Sequence, residues 1–209
     1  MSESFPSAGG PDCAYECNDY GKHFDECFIS SYDISSMDTD AAKAFVQNME
    51  IADSVILKYG DATVTPLSPG THVHLSFNYF CCYSKEDKHT IRSVLQKYNW
   101  PAINITYGEP VWRIDSDANQ VDHYSMIVLL NEESETIMQN LIEDVEAAVR
   151  AEGIDVHIPR AQQEPFHSTL GVVSGKNFPA IAALQSVNEV VPPGTWNSAG
   201  PITLSKPDF

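Results

Sequence analysis

The sequence predicts an α+β fold of two pseudo-symmetric βαββαβ-like lobes, each an antiparallel sheet backed by helices, with a central cleft between them. Three observations predict it. Strand-like and helix-like segments follow one another in the same order twice along the 209 residues. The intervals within the two passes agree closely. Each pass also contains one strand-like segment with a histidine two residues ahead of a hydroxyl, Thr71-His72-Val73-His74-Leu75-Ser76-Phe77 and Phe166-His167-Ser168-Thr169-Leu170-Gly171.

Residues 1 to about 22 are rich in Gly, Pro, Ser and acidic side chains and read as an irregular arm. Residues 23–209 read as a single two-lobed domain, with lobe 1 over about 24–115 and lobe 2 over about 121–205. In the first pass Phe24 to Ser35 is strand-like. Asp38-Thr39-Asp40 then offers a helix cap ahead of Ala42, Phe45, Val46, Met49, Ala52 and Ile56, spaced as one helical face. A short strand from Thr63 to Leu67 and a Pro/Gly turn lead to the first histidine strand. Ser84 caps a second helix with Ile91, Val94 and Leu95 on one face, and Ile103 to Ile114 is extended, broken by Gly108 and Pro110.

The second pass opens with the strand Tyr124 to Leu130. A helix from about Glu132 to Ala151 follows, carrying Ile137, Leu141, Val145, Ala148 and Val149 and ended by Gly153. Ile154 to Ile158 reads as a strand, the second histidine strand comes next, and Asn177 opens a helix with Ile181, Leu184 and Val187. Pro192-Pro193-Gly194 is a turn, and Ile202 to Leu204 a last strand. His74 lies 36 residues after Asp38, and His167 lies 35 after Glu132. In both passes the next helix begins ten residues beyond the histidine, at Ser84 and at Asn177.

Composition narrows the function. Hydrophobic residues make up 43% and charged residues 20%, as in soluble globular chains. No apolar run approaches the roughly 20 residues that span a bilayer, so no membrane partner is expected. The first residues are neither basic nor apolar, so a cytoplasmic location is expected, and a secreted one if a leader precedes this sequence. The formal net charge is -17, with only twelve basic residues and no run of them. Long nucleic acids are held by rows of Lys and Arg, so no long nucleic-acid track is expected, and a small nucleotide or short oligonucleotide is the expected partner of a monomer.

Of the five cysteines, Cys13, Cys17 and Cys27 cluster early and Cys81 and Cys82 are adjacent. Their C-x3-C-x9-C spacing lacks a fourth ligand for structural zinc. Reduced thiols, or disulfides pinning the arm of a secreted protein, both fit. Asn104-Ile105-Thr106 is a glycosylation sequon of a kind that arises often by chance.

The chemistry sits in the two histidine strands. Residues i and i+2 of a strand share a face, which sets His74 beside Ser76 and His167 beside Thr169. The residues between, Val73, Leu75, Phe77, Ser168 and Leu170, face the other way and are mostly apolar. An imidazole gives or takes a proton near neutral pH, and a hydroxyl donates to an oxyanion. Two such pairs facing each other form a site for acid/base chemistry on a phosphodiester with no metal and no cofactor. His72 shares a face with His74, however. A zinc hydrolase built on His72, His74 and a third ligand such as His167 or His157 is a rival reading, and a non-catalytic nucleotide-binding protein is another.

These motifs resemble the two-histidine (2H) phosphoesterase superfamily, which carries His-x-Ser/Thr-x, with x usually apolar, once in each of two similar lobes. His74-Leu75-Ser76-Phe77 and His167-Ser168-Thr169-Leu170 match the two copies, 93 residues apart, and Gly171 after the second copy also looks like the family. The resemblance covers roughly residues 24 to 205 and leaves out the arm. The chain departs from the pattern at Ser68 and Pro69 ahead of the first copy, at Ser76 in place of the commoner Thr, and at Ser168 in place of an apolar residue.

The resemblance implies a metal-independent phosphodiesterase acting on a cyclic or 2′-5′ phosphodiester in a small nucleotide or short RNA end. His74 and His167 are then the acid/base pair, and Ser76 and Thr169 bind the phosphate. Tyr32, Trp112 and Tyr124 are candidates to stack on a base, and Arg160 is a candidate phosphate contact. His23, His89 and His123 show no partner pattern, and Cys81 and Cys82 read as packing residues.

Overall fold

The structure is a computed structural model that describes residues 28–59, 63–65, 73–80, 83–116, 122–156, 165–174 and 178–209. The N-terminal arm, all five cysteines, His72, His157 and Arg160 lie outside the described residues. Within them the chain is a mixed α+β protein with four α-helices and antiparallel sheets.

Local chemistry sets the helices. In α1 (Asp40–Ile56) the Thr39 hydroxyl caps the N-terminus by accepting from the Ala42 amide at 3.2 Å. Ala42, Phe45, Met49, Ala52 and Ile56 recur every three or four residues and are buried. Ser84 caps α2 (Lys85–Lys97) as its sequence predicts, and Ile91 and Leu95 are buried. Asn131 caps α3 (Glu132–Ala151), and such a cap is worth about 1 kcal/mol. Gly153, just past α3, has φ +82°, a conformation that carries a penalty for any residue with a Cβ. The last helix, α4 (Ala180–Val190), buries Ala183 and Val187.

Strand β1 (Phe28–Asp33) pairs antiparallel with β3 (His74–Phe80). A four-stranded sheet has the order β2 (Thr63–Thr65), β7 (His167–Ser174), β6 (Asp122–Leu130), β5 (Tyr107–Ser116). Strand β4 (Ile103–Ile105) pairs with β8 (Ile202–Leu204). Each histidine strand therefore lies beside the strand that opens its own pass, β3 on β1 and β7 on β6. Each also carries one extra residue at the same point, directly after the hydroxyl. Phe77 is skipped between Ser76 and Asn78 in the pairing with β1, and Leu170 between Thr169 and Gly171 in the pairing with β6. Such bulges re-aim the side chains next to them.

The passes are tied together by exchange. Strand β2 of the first pairs with β7 of the second, β4 pairs with β8, and the backbones of Ser31 and Asp208 bond to each other at 3.0 and 2.6 Å. One core runs through both. At its centre Phe45 stacks on Tyr107, with ring centroids 3.9 Å apart, and meets Trp196 edge-on. The Asn197 side chain clamps the Tyr107 backbone, accepting from its amide at 2.9 Å and donating to its carbonyl at 2.5 Å.

Two expectations change. Residues 154–156 of the expected strand Ile154 to Ile158 lie in no strand, although Ile154 and Val156 are buried. Their alternation reflects packing, not a ladder. Gly108 and Pro110 do not break β5. A register shift between Tyr107 and Pro110 absorbs them. The interruption falls at Thr106, whose amide donates to the Ser134 hydroxyl at 2.8 Å. Among the described residues no helix is long and apolar enough to cross a membrane.

Candidate active site

On β3, His74 stands opposite Asp33, Leu75 opposite Tyr32, and Ser76 opposite Ser31. Cross-strand partners share a face, so His74, Ser76, Asp33 and Ser31 form one side, and Leu75 and Tyr32 the core side. Val73, Leu75 and Phe77 are buried, His74 is exposed, and Ser76 is at the edge of burial. The strand is fixed at its start, where Val73 O accepts from the amides of Ile34 and Ser35 at 2.9 and 3.2 Å. Successive carbonyls of a strand point to opposite edges, so His74 O is directed away from β1.

On β7, His167 stands opposite Leu129, Ser168 opposite Val128, and Thr169 opposite Ile127. His167 and Thr169 are half-buried on one face, and Ser168 is fully buried on the other. Helix α3 holds the approach to this strand, because the Phe166 amide donates to the Glu135 carboxylate at 2.9 Å. His167 Nδ1 lies 2.8 Å from Pro165 O. A carbonyl only accepts, so in the neutral ring Nδ1 carries the proton and Nε2 is the acceptor.

Ser168 connects the two motifs. Its Oγ donates to His74 O at 2.8 Å and lies 2.7 Å from the Tyr107 hydroxyl. The serine has one proton and the His74 carbonyl takes it, so Tyr107 donates to Ser168. Burial pushes the Tyr107 phenol well above the usual tyrosine range, and the bond to Ser168 opposes this only in part. The serine that departs from the family pattern thus links the backbone of the first histidine to the strand of the second. Sequence gave no sign of it beyond a polar residue at an apolar position.

The aromatic candidates are not on the histidine faces. Tyr32 is 1% exposed and packs edge-on against Phe77 at 5.9 Å, as a core residue. Trp112 and Tyr124 fall on the sheet face opposite to His167 and Thr169, because Trp112 pairs with Met126, and Tyr124 with Val173. They cluster there with Phe178 at 5.2 Å each, and Trp112 Nε1 donates to Ala180 O at 2.7 Å. Strand parity and register decide these positions. Arg160 and His72 lie outside the described residues. His89 is exposed on α2.

Register reveals one residue that sequence reasoning passed over. Arg113 pairs with Ser125, and Ser125 with Val172, on the same face as Thr169 and His167. Strand alternation from Tyr107 onward was the signal that could have found it. Among the described residues no three His, Cys, Asp or Glu side chains gather as a metal-ligand set.

No family model matches the sequence, and no curated protein matches it. Among solved structures the chain is similar to two of Usb1 from Kluyveromyces marxianus. Against the structure with uridine monophosphate the TM-score is 0.45 at 14% identity, covering 79% of this chain and 80% of that chain. Against the second the TM-score is 0.46 at 14% identity, covering 79% and 81%.

Proposed function

We propose that the protein is a metal-independent phosphodiesterase that cleaves a cyclic or 2′-5′ phosphodiester in a small nucleotide or a short RNA end. His74 and His167 are its acid/base pair, and Ser76 and Thr169 its phosphate ligands. The observation that carries this reading is the 2.8 Å bond from Ser168, which stands between His167 and Thr169, to the backbone of His74. Residues 94 positions apart in sequence are in direct contact where the two motifs lie. We read the molecule as two pseudo-symmetric lobes about that contact. The matching pairings of β3 and β7, with a bulge after each hydroxyl, support this.

In the proposed reaction one imidazole takes a proton from water, or from a ribose hydroxyl, as its oxygen attacks phosphorus. The opposite phosphorus–oxygen bond breaks, and the second imidazole protonates the departing oxygen. The hydroxyls of Ser76 and Thr169 donate to the non-bridging oxygens, where negative charge builds. His167, with Nδ1 directed at Pro165 O, presents Nε2 for proton transfer.

The test is a panel of 2′,3′-cyclic nucleotides, 2′-5′ dinucleotides and short RNAs, assayed in chelator with wild type, His74→Ala and His167→Ala. Turnover in chelator that both substitutions abolish, with a bell-shaped pH–rate profile, is the expected result. Activity that the chelator removes points to the zinc reading. Binding without turnover of any substrate points to a nucleotide-binding protein.

A further inference from the structure

The peptide unit between Pro165 and Phe166 is bonded at both ends. Its N–H donates to the Glu135 carboxylate at 2.9 Å, and its C=O lies 2.8 Å from His167 Nδ1. Both groups belong to one planar trans unit, so they point in opposite directions. Glu135 and the His167 ring nitrogen therefore meet the two sides of a single peptide.

Glu135 is itself fixed. It is half-buried in the first turn of α3, and its other oxygen accepts from Gln139 Nε2 at 3.0 Å. The next peptide is held too, because Phe166 O accepts from the Leu130 amide at 3.0 Å, and the Phe166 side chain is buried. The backbone ahead of His167 has little freedom to turn. The carbonyl that meets Nδ1 is thus aimed by a side chain on another element.

A carboxylate that accepts from a peptide N–H does more than hold it. Such a charge-assisted bond is roughly twice as strong as a neutral one. It draws the amide electrons toward the carbonyl oxygen, which becomes a better acceptor, as bonds in a chain strengthen one another. A better acceptor at Nδ1 favours the ring form with its proton there and leaves Nε2 open toward the substrate. In catalytic triads a carboxylate bonded directly to Nδ1 fixes the ring in this way.

We propose that Glu135 is a positioning residue for the reaction, acting on His167 through the Pro165–Phe166 peptide. It governs which nitrogen of His167 carries the proton and where Nε2 points. The proposal rests on the phosphodiesterase reading above and adds a residue to its machinery.

The test reads the His167 ring and the reaction separately. Proton–nitrogen correlation spectra of the histidine rings, at a pH where they are neutral, report which nitrogen is protonated, and His167→Ala assigns the signals. In wild type the Nδ1–H form of His167 is expected to dominate. In Glu135→Ala the share of the Nε2–H form should rise. Its kcat should fall about tenfold, the contribution of one hydrogen bond, with KM changed by no more than about twofold. Glu135→Gln keeps an acceptor without the charge, so both readouts should lie between Glu135→Ala and wild type. The His74 signals should stay in place in both variants. A wild-type ring mainly in the Nε2–H form overturns the proposal, as do ring form and kcat unmoved by Glu135→Ala. So does a loss of kcat with the His167 ring unchanged, or a change that His74 shares, since either marks general loosening. If Glu135→Ala does not fold, Glu135→Gln decides in the same way. If wild type cleaves nothing, the phosphodiesterase reading fails on its own, and the ring spectra alone decide whether Glu135 governs His167.

Discussion

The two histidine strands carry the same motif and are supported in opposite ways. Among the described residues strand β3 has one ladder partner, β1, and it rests on its apolar side, where Val73, Leu75 and Phe77 are buried. Strand β7 lies inside a four-stranded sheet between β2 and β6, and its inward residue at the matching position is Ser168, held by Tyr107. One copy is placed by packing, the other by a directional polar link reaching back to the first. Packing tolerates small shifts, whereas a hydrogen bond between 2.7 and 2.9 Å fixes distance and direction. Ser168 supplies one such constraint between the two strands, donating to His74 O at 2.8 Å.

The sharpest way to break this comparison is to remove the histidines in turn. If the two strands contribute alike to chemistry, His74→Ala and His167→Ala should each lower kcat by about 10²–10⁴-fold. The double variant should lose little more than either single one, because acid and base serve one step. Thermal melts should stay near wild type for His74→Ala, whose side chain is exposed. A single variant that keeps full activity while the other loses it would show that only one strand works.

The next effect is on stability. Leu75→Ala empties a buried site and should cost about 2–5 kcal/mol. Ser168→Ala removes little volume but strands a carbonyl and a phenol in the core, at about 1–3 kcal/mol. Denaturant titration gives both values. Activity separates the two further. Leu75→Ala should lose stability ahead of kcat, and Ser168→Ala should lower kcat in the folded enzyme as the join slackens. Restoration of kcat by Ser168→Thr, which keeps the hydroxyl, distinguishes alignment from mere destabilisation.

Much of this arrangement was legible in the sequence, for identifiable reasons. Helix α3 was expected over about Glu132 to Ala151 because the apolar repeat and Gly153 agree, and it spans Glu132–Ala151. The histidine–hydroxyl pairs could be set on shared faces because strand periodicity is two. What sequence withheld were features settled by tertiary pairing. Tyr32 and Tyr124 occupy similar places in the strands that open each pass, and that similarity made them look like a matched pair of ligand contacts. Only the register with Leu75 and with Val173 shows that they point into the core. Ser168 looked like a weak spot in the motif, since nothing local says that a carbonyl 94 residues away will meet its hydroxyl. Arg113 was passed over because the run through Gly108 and Pro110 reads as broken, and without a continuous strand its face has no meaning.

The smallest expected effect contrasts two tyrosines, one behind each histidine strand. Burial raises the pKa of both Tyr32 and Tyr107 above the ordinary phenol value. The sign of the pH dependence follows. In the unfolded chain a phenol ionises near pH ~10, while in the folded protein it stays neutral to higher pH. Stability from these groups is complete below that pH and is lost as pH rises above it. Melting temperature should therefore fall on the alkaline side, and Tyr→Phe at either position should make that fall shallower. At neutral pH the two substitutions should diverge. The Tyr32 hydroxyl has no hydrogen-bond partner among the described residues, so Tyr32→Phe removes a buried polar atom and should leave the protein as stable or slightly more so. Tyr107→Phe takes the donor from Ser168 and should cost about 1 kcal/mol. Equal melting temperatures for the two variants at pH 7 would mean that the Tyr107–Ser168 bond contributes nothing to holding the histidine strands together.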